Sequence, residues 1–211
     1  MQKFMRQALP CRRKTAKKMF ACLWLAALVA GCGGGSDGAA PESNTGIGAP
    51  APTPPSAPAP APATDATCAL PDFVASTLAR VNQLRAAGAT CGTLGSFAPA
   101  GPLTWSTLLT QAATAHSQDM VTNNFFSHTG SSGSTESTRV DATGYAWNAL
   151  GENIAAGYGT VNTVMDGWMA SDGHCANIMN PNFTQIGMAC IQGTSANTYP
   201  TYWTLDLARP R

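Results

Sequence analysis

Along residues 72–87, Val74, Leu78, Val81 and Leu84 recur every three or four positions, with Asp72 at the start and Gly88 just past the end, so the pattern predicts a helix. Residues 104–123 repeat it: Leu109, Ala112, Ala113, His116 and Met120 share one face behind Pro102, which turns His116 inward as a hydrogen-bonded core histidine. A loop rich in Ser and Gly surrounds Phe125-Phe126-Ser127-His128, and a short helical stretch follows over 134–142. In residues 160–171, Val161, Val164, Met165, Trp168 and Met169 form the third long apolar face, with Gly173 expected to end it. Segments 152–156, 186–191 and 202–208 are β-rich and bounded by turn residues. Helices outnumber strands and the strands cluster late, so the expected class is α+β with a small, mostly antiparallel sheet.

The first third of the chain has a different pattern. Residues 19–30 (MFACLWLAALVA) are an unbroken apolar run of 12 behind Lys14, Lys17 and Lys18. A membrane-spanning helix needs roughly 20 such residues, so this is read as an export signal. It closes on Leu28-Val29-Ala30-Gly31-Cys32, which resembles a bacterial lipobox. The resemblance implies a lipoprotein signal peptide over 1–31 and a lipidated Cys32, whose two or three acyl chains suffice for stable anchoring. Gly33 stands where an aspartate commonly retains such proteins in the inner membrane, so the outer membrane or the surface is favoured. Residues 32–67 are Gly-rich and then Pro/Ala-rich, with no face to bury, and are expected to be a disordered linker. At ~3.1 Å per residue in polyproline II, residues 39–67 reach at most about 90 Å. The folded domain is expected over 68–211.

Charge narrows the partners. Of 12 Lys and Arg, seven precede residue 19, and all 11 acids lie at or beyond Asp37, so the part after Ala30 carries 5 − 11 = −6. A basic face for nucleic acid or anionic membrane is excluded on that balance. Cys11, Cys22 and Cys32 fall in the targeting segment and leave Cys68, Cys91, Cys175 and Cys190. Four cysteines in an exported chain predict two disulfides, and closing the shortest loops gives Cys68–Cys91 and Cys175–Cys190. A four-cysteine zinc site is the alternative, with no C-x-x-C pair to support it.

Several segments resemble, in order and spacing, the CAP superfamily (cysteine-rich secretory, antigen 5 and pathogenesis-related proteins) in its bacterial SCP-like branch. They include Leu103-Thr104-Trp105, Ala115-His116-Ser117-Gln118-Asp119-Met120, Phe125-Phe126-Ser127-His128, Gly151-Glu152-Asn153-Ile154-Ala155 and Gly167-Trp168-Met169. Gly173-His174-Cys175-Ala176-Asn177-Ile178-Met179-Asn180-Pro181, Phe183, Ile186-Gly187 and Tyr202-Trp203-Thr204 complete the set. The resemblance implies an α-β-α sandwich whose three-stranded antiparallel sheet is flanked by helices, with a broad cleft lined by two His and two acids. His128, Glu152 and His174 match three of those positions, and Ser171 stands at the fourth, which puts any two-carboxylate mechanism in doubt.

Two imidazoles and a carboxylate from His128, His174 and Glu152 are a candidate set for Zn²⁺ with room for a water; equally, the Glu fixes a His tautomer and organises the cleft. No H-E-x-x-H or G-x-S-x-G motif occurs with them over residues 68–211, so Ser171 and His174 are close in sequence without being a nucleophile and base. Asn177 and Asn180 are expected to cap the turn at Pro181, Trp105, Trp168 and Trp203 to pack in the core, and Tyr145 and Trp147 to rim the cleft. The leading expectation is a surface-anchored module that binds a small apolar or lipid-like molecule, a peptide or an envelope component. A metal-dependent hydrolase of peptide or envelope substrates and a structural envelope lipoprotein are the alternatives.

Overall fold

The computed structural model describes residues 65–211. The signal peptide over 1–31, the lipidated Cys32 and nearly all of the 32–67 linker lie outside the described residues. Ala66 and Cys68 hydrogen-bond Cys190 through their backbones, so regular structure is already present at the end of the expected linker.

Helix α1 (Phe73–Ala87) leads into the short strands β1 (Ala89–Thr90) and β2 (Ser96–Phe97), which pair with each other around a 3-10 turn at Gly92–Leu94. Strand β3 (Thr104–Trp105), α2 (Thr107–Thr122) and α3 (Glu136–Ala142) follow. Then come β4 (Trp147–Ala156), α4 (Val161–Met169), α5 (Asp172–Met179), β5 (Gln185–Gln192) and β6 (Thr201–Pro210). The main sheet runs β3-β5-β6-β4: three long antiparallel strands as expected, with β3 added in parallel beside β5. The segment opening the predicted second helix is therefore strand, and α2 begins only after Ser106, whose side chain accepts from the Leu109 N–H as an N-cap.

Residues opposite one another in register project to the same face. Glu152, Asp206 and Gly187 lie in one such row on the face where α2 packs on β5 and β6. A Cβ on Gly187 would collide with the backbone of Leu109 and Thr110, so the lack of a side chain there sets how closely α2 approaches. The opposite face carries Ile186, Met188, Trp203, Leu205 and Leu207, buried with Val81 of α1, Val164, Met165 and Trp168 of α4, and Ile178 and Met179 of α5. Together these make three layers. Arg85 of α1 is 1% exposed and donates to the backbone carbonyls of Gly101, Ile178, Asn180 and Phe183, tying off the C-terminal end of α5.

The disulfides correct the expected pairing. Cys68 joins Cys190 and Cys91 joins Cys175, one loop nested inside the other. Backbone pairing of Ala66 and Cys68 with Cys190 brings the first pair together. The second is aligned by Asp172 at the start of α5, whose Oδ2 accepts from Thr93 N at 2.8 Å and Thr93 Oγ1 at 2.5 Å. Gly173 also differs from expectation: the α4 apolar run stops at Met169, and Gly173 lies inside α5.

Candidate functional site

Strand β4 forms one edge of the sheet and brings Glu152 into contact with the loop after α2. Glu152 Oε1 takes the hydrogen bond of His128 Nδ1 at 2.7 Å, so that nitrogen carries the proton. Glu152 Oε2 accepts from Arg139 Nη2 at 2.5 Å; Arg139, on α3, also donates to the backbone oxygens of His128 and Ser134. Burial pushes the Glu152 carboxyl up, but His128 and Arg139 outweigh it and hold it below the usual range. The Glu152 hydrogen bond raises the His128 pKa against the cost of burial, although the ring is 56% exposed. Nothing in sequence singles out Arg139, because a lone Arg on a short helix reads as a solvated charge.

Other acidic and imidazole groups surround this triad. Asp206 sits directly opposite Glu152 on β6, 1% exposed, and burial together with the Glu152 charge drives its carboxyl well above normal. Glu136, the first residue of α3, is raised to about 7 by burial and by Glu152. Its charge in turn acts on His128, so α3 contributes a second acidic group to the electrostatics of the cleft beside Arg139. His116 is fully buried and donates through Nε2 to Ser127 O at 2.9 Å, as expected of a core histidine. Burial lowers its pKa, and its Nε2 lies 4.0 Å from Glu152 Oε1.

His174 and Ser171 lie in a neighbouring part of the cleft. They line a cavity of about 300 Å³ together with the end of β4 (Ile154, Ala155 and Ala156) and Gly167 of α4. Phe126, Tyr158, Trp168 and Tyr199 supply aromatic walls, with the Phe126 and Tyr199 rings edge to face at 5.9 Å. A Cβ on Gly167 would run into the Tyr158 ring, so that glycine makes room for an aromatic wall. His174 is lowered by burial and by the nearby His128 charge, so at neutral pH no lining side chain is charged. No hydrogen bond joins Ser171 to His174. The structure thus pairs His128 with Glu152, and places His174 and Ser171 together on the adjoining cavity wall.

Three expectations change. Among the described residues no group of three or more His, Cys, Asp or Glu side chains is placed to hold a metal ion, and both Glu152 oxygens are already engaged, so the proposed zinc set of His128, Glu152 and His174 is not assembled. Tyr145 and Trp147 do not rim the cavity: Tyr145 is buried and bonds Gln185, and Trp147 bonds Asp141. Asn180 does cap the turn at Pro181, through Asn182 N, but Asn177 reaches across to Glu152 O and Asn153 Oδ1 and holds the β4 edge.

A three-layer sandwich with a His/Glu cleft at the edge of a small antiparallel sheet defines the class of protein. Residues 78–207 match the CAP, cysteine-rich secretory protein, family, and the chain belongs to it. It is 38% identical to the uncharacterised Bacillus subtilis protein YkwD over 44% of this chain and 37% of that one. To the uncharacterised Bacillus subtilis membrane protein YlbC it is 31% identical over 41% of this chain and 25% of that one. The matches thus span about a third or less of these relatives. An outer surface protein of Borrelia burgdorferi has the same fold at TM-score 0.51 and 18% identity, covering 64% of this chain and 94% of that one. An extracellular SCP-domain protein of Bacillus anthracis matches at TM-score 0.49 and 25% identity, over 66% of this chain and 44% of that one.

Proposed function

We propose that this CAP domain acts outside the cytoplasm as a ligand-binding module, tethered by a lipidated Cys32 and a Pro/Ala-rich linker, and that its ligand is an uncharged small molecule, peptide or envelope component. The observation that carries the reading is the cavity beside His174: about 300 Å³, walled by aromatic rings, with hydroxyl and imidazole groups and no formal charge. That combination of apolar walls and a few convergent polar groups is how small-ligand sites are built. The pairing of all four domain cysteines supports an oxidising compartment, and the Borrelia burgdorferi relative is itself an outer surface protein. Among the described residues no helix is long and apolar enough to cross a membrane, which fits attachment through the N-terminal lipid.

Hydrolysis has no comparable support: Glu152 is already held by His128 and Arg139, and no base is hydrogen-bonded to Ser171 among the described residues. Native mass spectrometry of the full exported protein from its own host tests the binding reading. A non-covalent adduct is expected on the wild type and absent from Ser171→Trp, whose indole would fill the cavity. No adduct, or one that survives Ser171→Trp, overturns it.

A further inference from the structure

The cavity runs along a sheet edge. β4 pairs with β6 on one side only, and in an antiparallel strand the N–H and C=O of alternate residues point to opposite sides. Gly157 N donates to Thr201 O, just beyond the β4 and β6 pairing, so Gly157 and Ala155 face β6 while Ala156, Ile154 and Glu152 face away. The outward carbonyls agree with this parity. Ile154 O accepts from Trp168 Nε1 at 3.0 Å and Glu152 O from Asn177 Nδ2 at 3.2 Å, so α4 and α5 satisfy the acceptors of this edge with side chains. Its donors are another matter: Ile154 N and Ala156 N face away from the ladder with β6, and among the described residues no side chain and no backbone group outside the ladder accepts from them, although Ile154 is only 5% exposed. An edge that has filled its acceptors and kept its donors, beside an aromatic cavity, is built for a ligand that brings carbonyl oxygens.

We infer that the occupant of the cavity is an extended peptide that adds to the free edge of β4, with two of its carbonyls on the N–H groups of Ile154 and Ala156. The inference rests on the binding-module reading and names the ligand class. Donors two residues apart along a strand stand about 6.8 Å apart, the spacing of alternate carbonyls in an extended chain. Main-chain bonding of this kind gives affinity, and pockets for alternate side chains give specificity. Here one alternate side chain meets the rings of Phe126 and Tyr199 and another the wall of Ser171 and His174, and the uncharged lining selects uncharged side chains.

The test uses the full-length exported protein with a pool of blocked hexapeptides carrying an uncharged residue at every position. Amide hydrogen exchange is read on the protein, with laurate and N-acetylglucosamine disaccharide as separate arms. The peptide pool is expected to slow exchange of the Ile154 and Ala156 amides at least tenfold. Ala156→Pro removes one donor from a strand edge that tolerates proline, and is expected to weaken peptide binding roughly tenfold while Ala156→Ser, which keeps the N–H, binds as the wild type does. Peptide binding that leaves both amides unprotected, or that is equally tight in Ala156→Pro, overturns the inference. Binding of laurate or the disaccharide without the peptides also overturns it but leaves the binding-module reading standing. Binding of none of the three overturns both.

Discussion

Glu152 shows how one buried side chain acts on the ionisation of its neighbours. Its carboxyl is held below the usual range by His128 and Arg139 against the cost of burial, and burial, with the Glu152 charge added to it, raises Asp206 and Glu136. His128 gains a partner for its charged form, whereas His174 is half-buried and lies near a like charge, so two imidazoles of one cleft are pushed apart. A raised histidine stabilises the fold below its unfolded value near ~6.5 and loses that contribution as pH rises through the folded pKa. A depressed one does the reverse, with its contribution present above ~6.5 and lost as pH falls through that range. NMR titration of the ring protons is expected to place His128 above and His174 below 6.5. Glu152→Gln should bring His128 back down and, by stranding a buried Arg139, cost about 3 kcal/mol in urea unfolding. A His128 midpoint unmoved by Glu152→Gln would show that the 2.7 Å contact does not control it.

At the scale of elements, the layers are legible in the sequence where periodicity is strong and obscure where tertiary contact decides. The apolar faces of α2 and α4 and the three long strands are anticipated, whereas α1 turns Phe73, Thr77, Val81 and Arg85 inward and leaves Val74, expected on its apolar face, 41% exposed. The His128 and Glu152 contact follows from the order of family motifs, since residues 24 positions apart meet only through the fold. The disulfides are not legible, because closing the shortest loops is a chain-entropy argument and the pairing is set instead by a backbone bridge to β5 and by Asp172 holding Thr93. Arg139 and Glu136 are hidden for a related reason: α3 is too short for its inward face to show in a pattern. Gly187 is the position where one element dictates another. Gly187→Ala forces α2 off β5, with backbone rather than a flexible side chain in the way. The expected loss is about 3 kcal/mol or more, measured by denaturant unfolding, against less than about 1 kcal/mol for Ala at Gly101, where nothing stands nearby and the backbone is not in the left-handed region. Equal effects at the two glycines would mean that the close crossing of helix and strand is not what the sequence protects.

For the whole molecule, the domain and the proposed tether are separable. The part after Ala30 carries −6 and no lysine, so a negatively charged bilayer repels it, and surface charge offers no route to a membrane. The proposed tether rests on the apolar run of residues 19–30, too short to span, and on the Ala30-Gly31-Cys32 junction, where acyl chains on Cys32 would supply a covalent route. Cys32→Ser removes the acyl acceptor and leaves residues 65–211 untouched. Fractionation of the host is therefore expected to move the protein from the membrane pellet to a soluble or misprocessed form. Circular dichroism and the Cys68–Cys190 and Cys91–Cys175 linkages, mapped without reduction, should stay as in the wild type. If the Cys32→Ser protein stays in the pellet and is cut at the same place, the tether is not a lipid on Cys32, and the anchoring segment must be sought elsewhere in the leader.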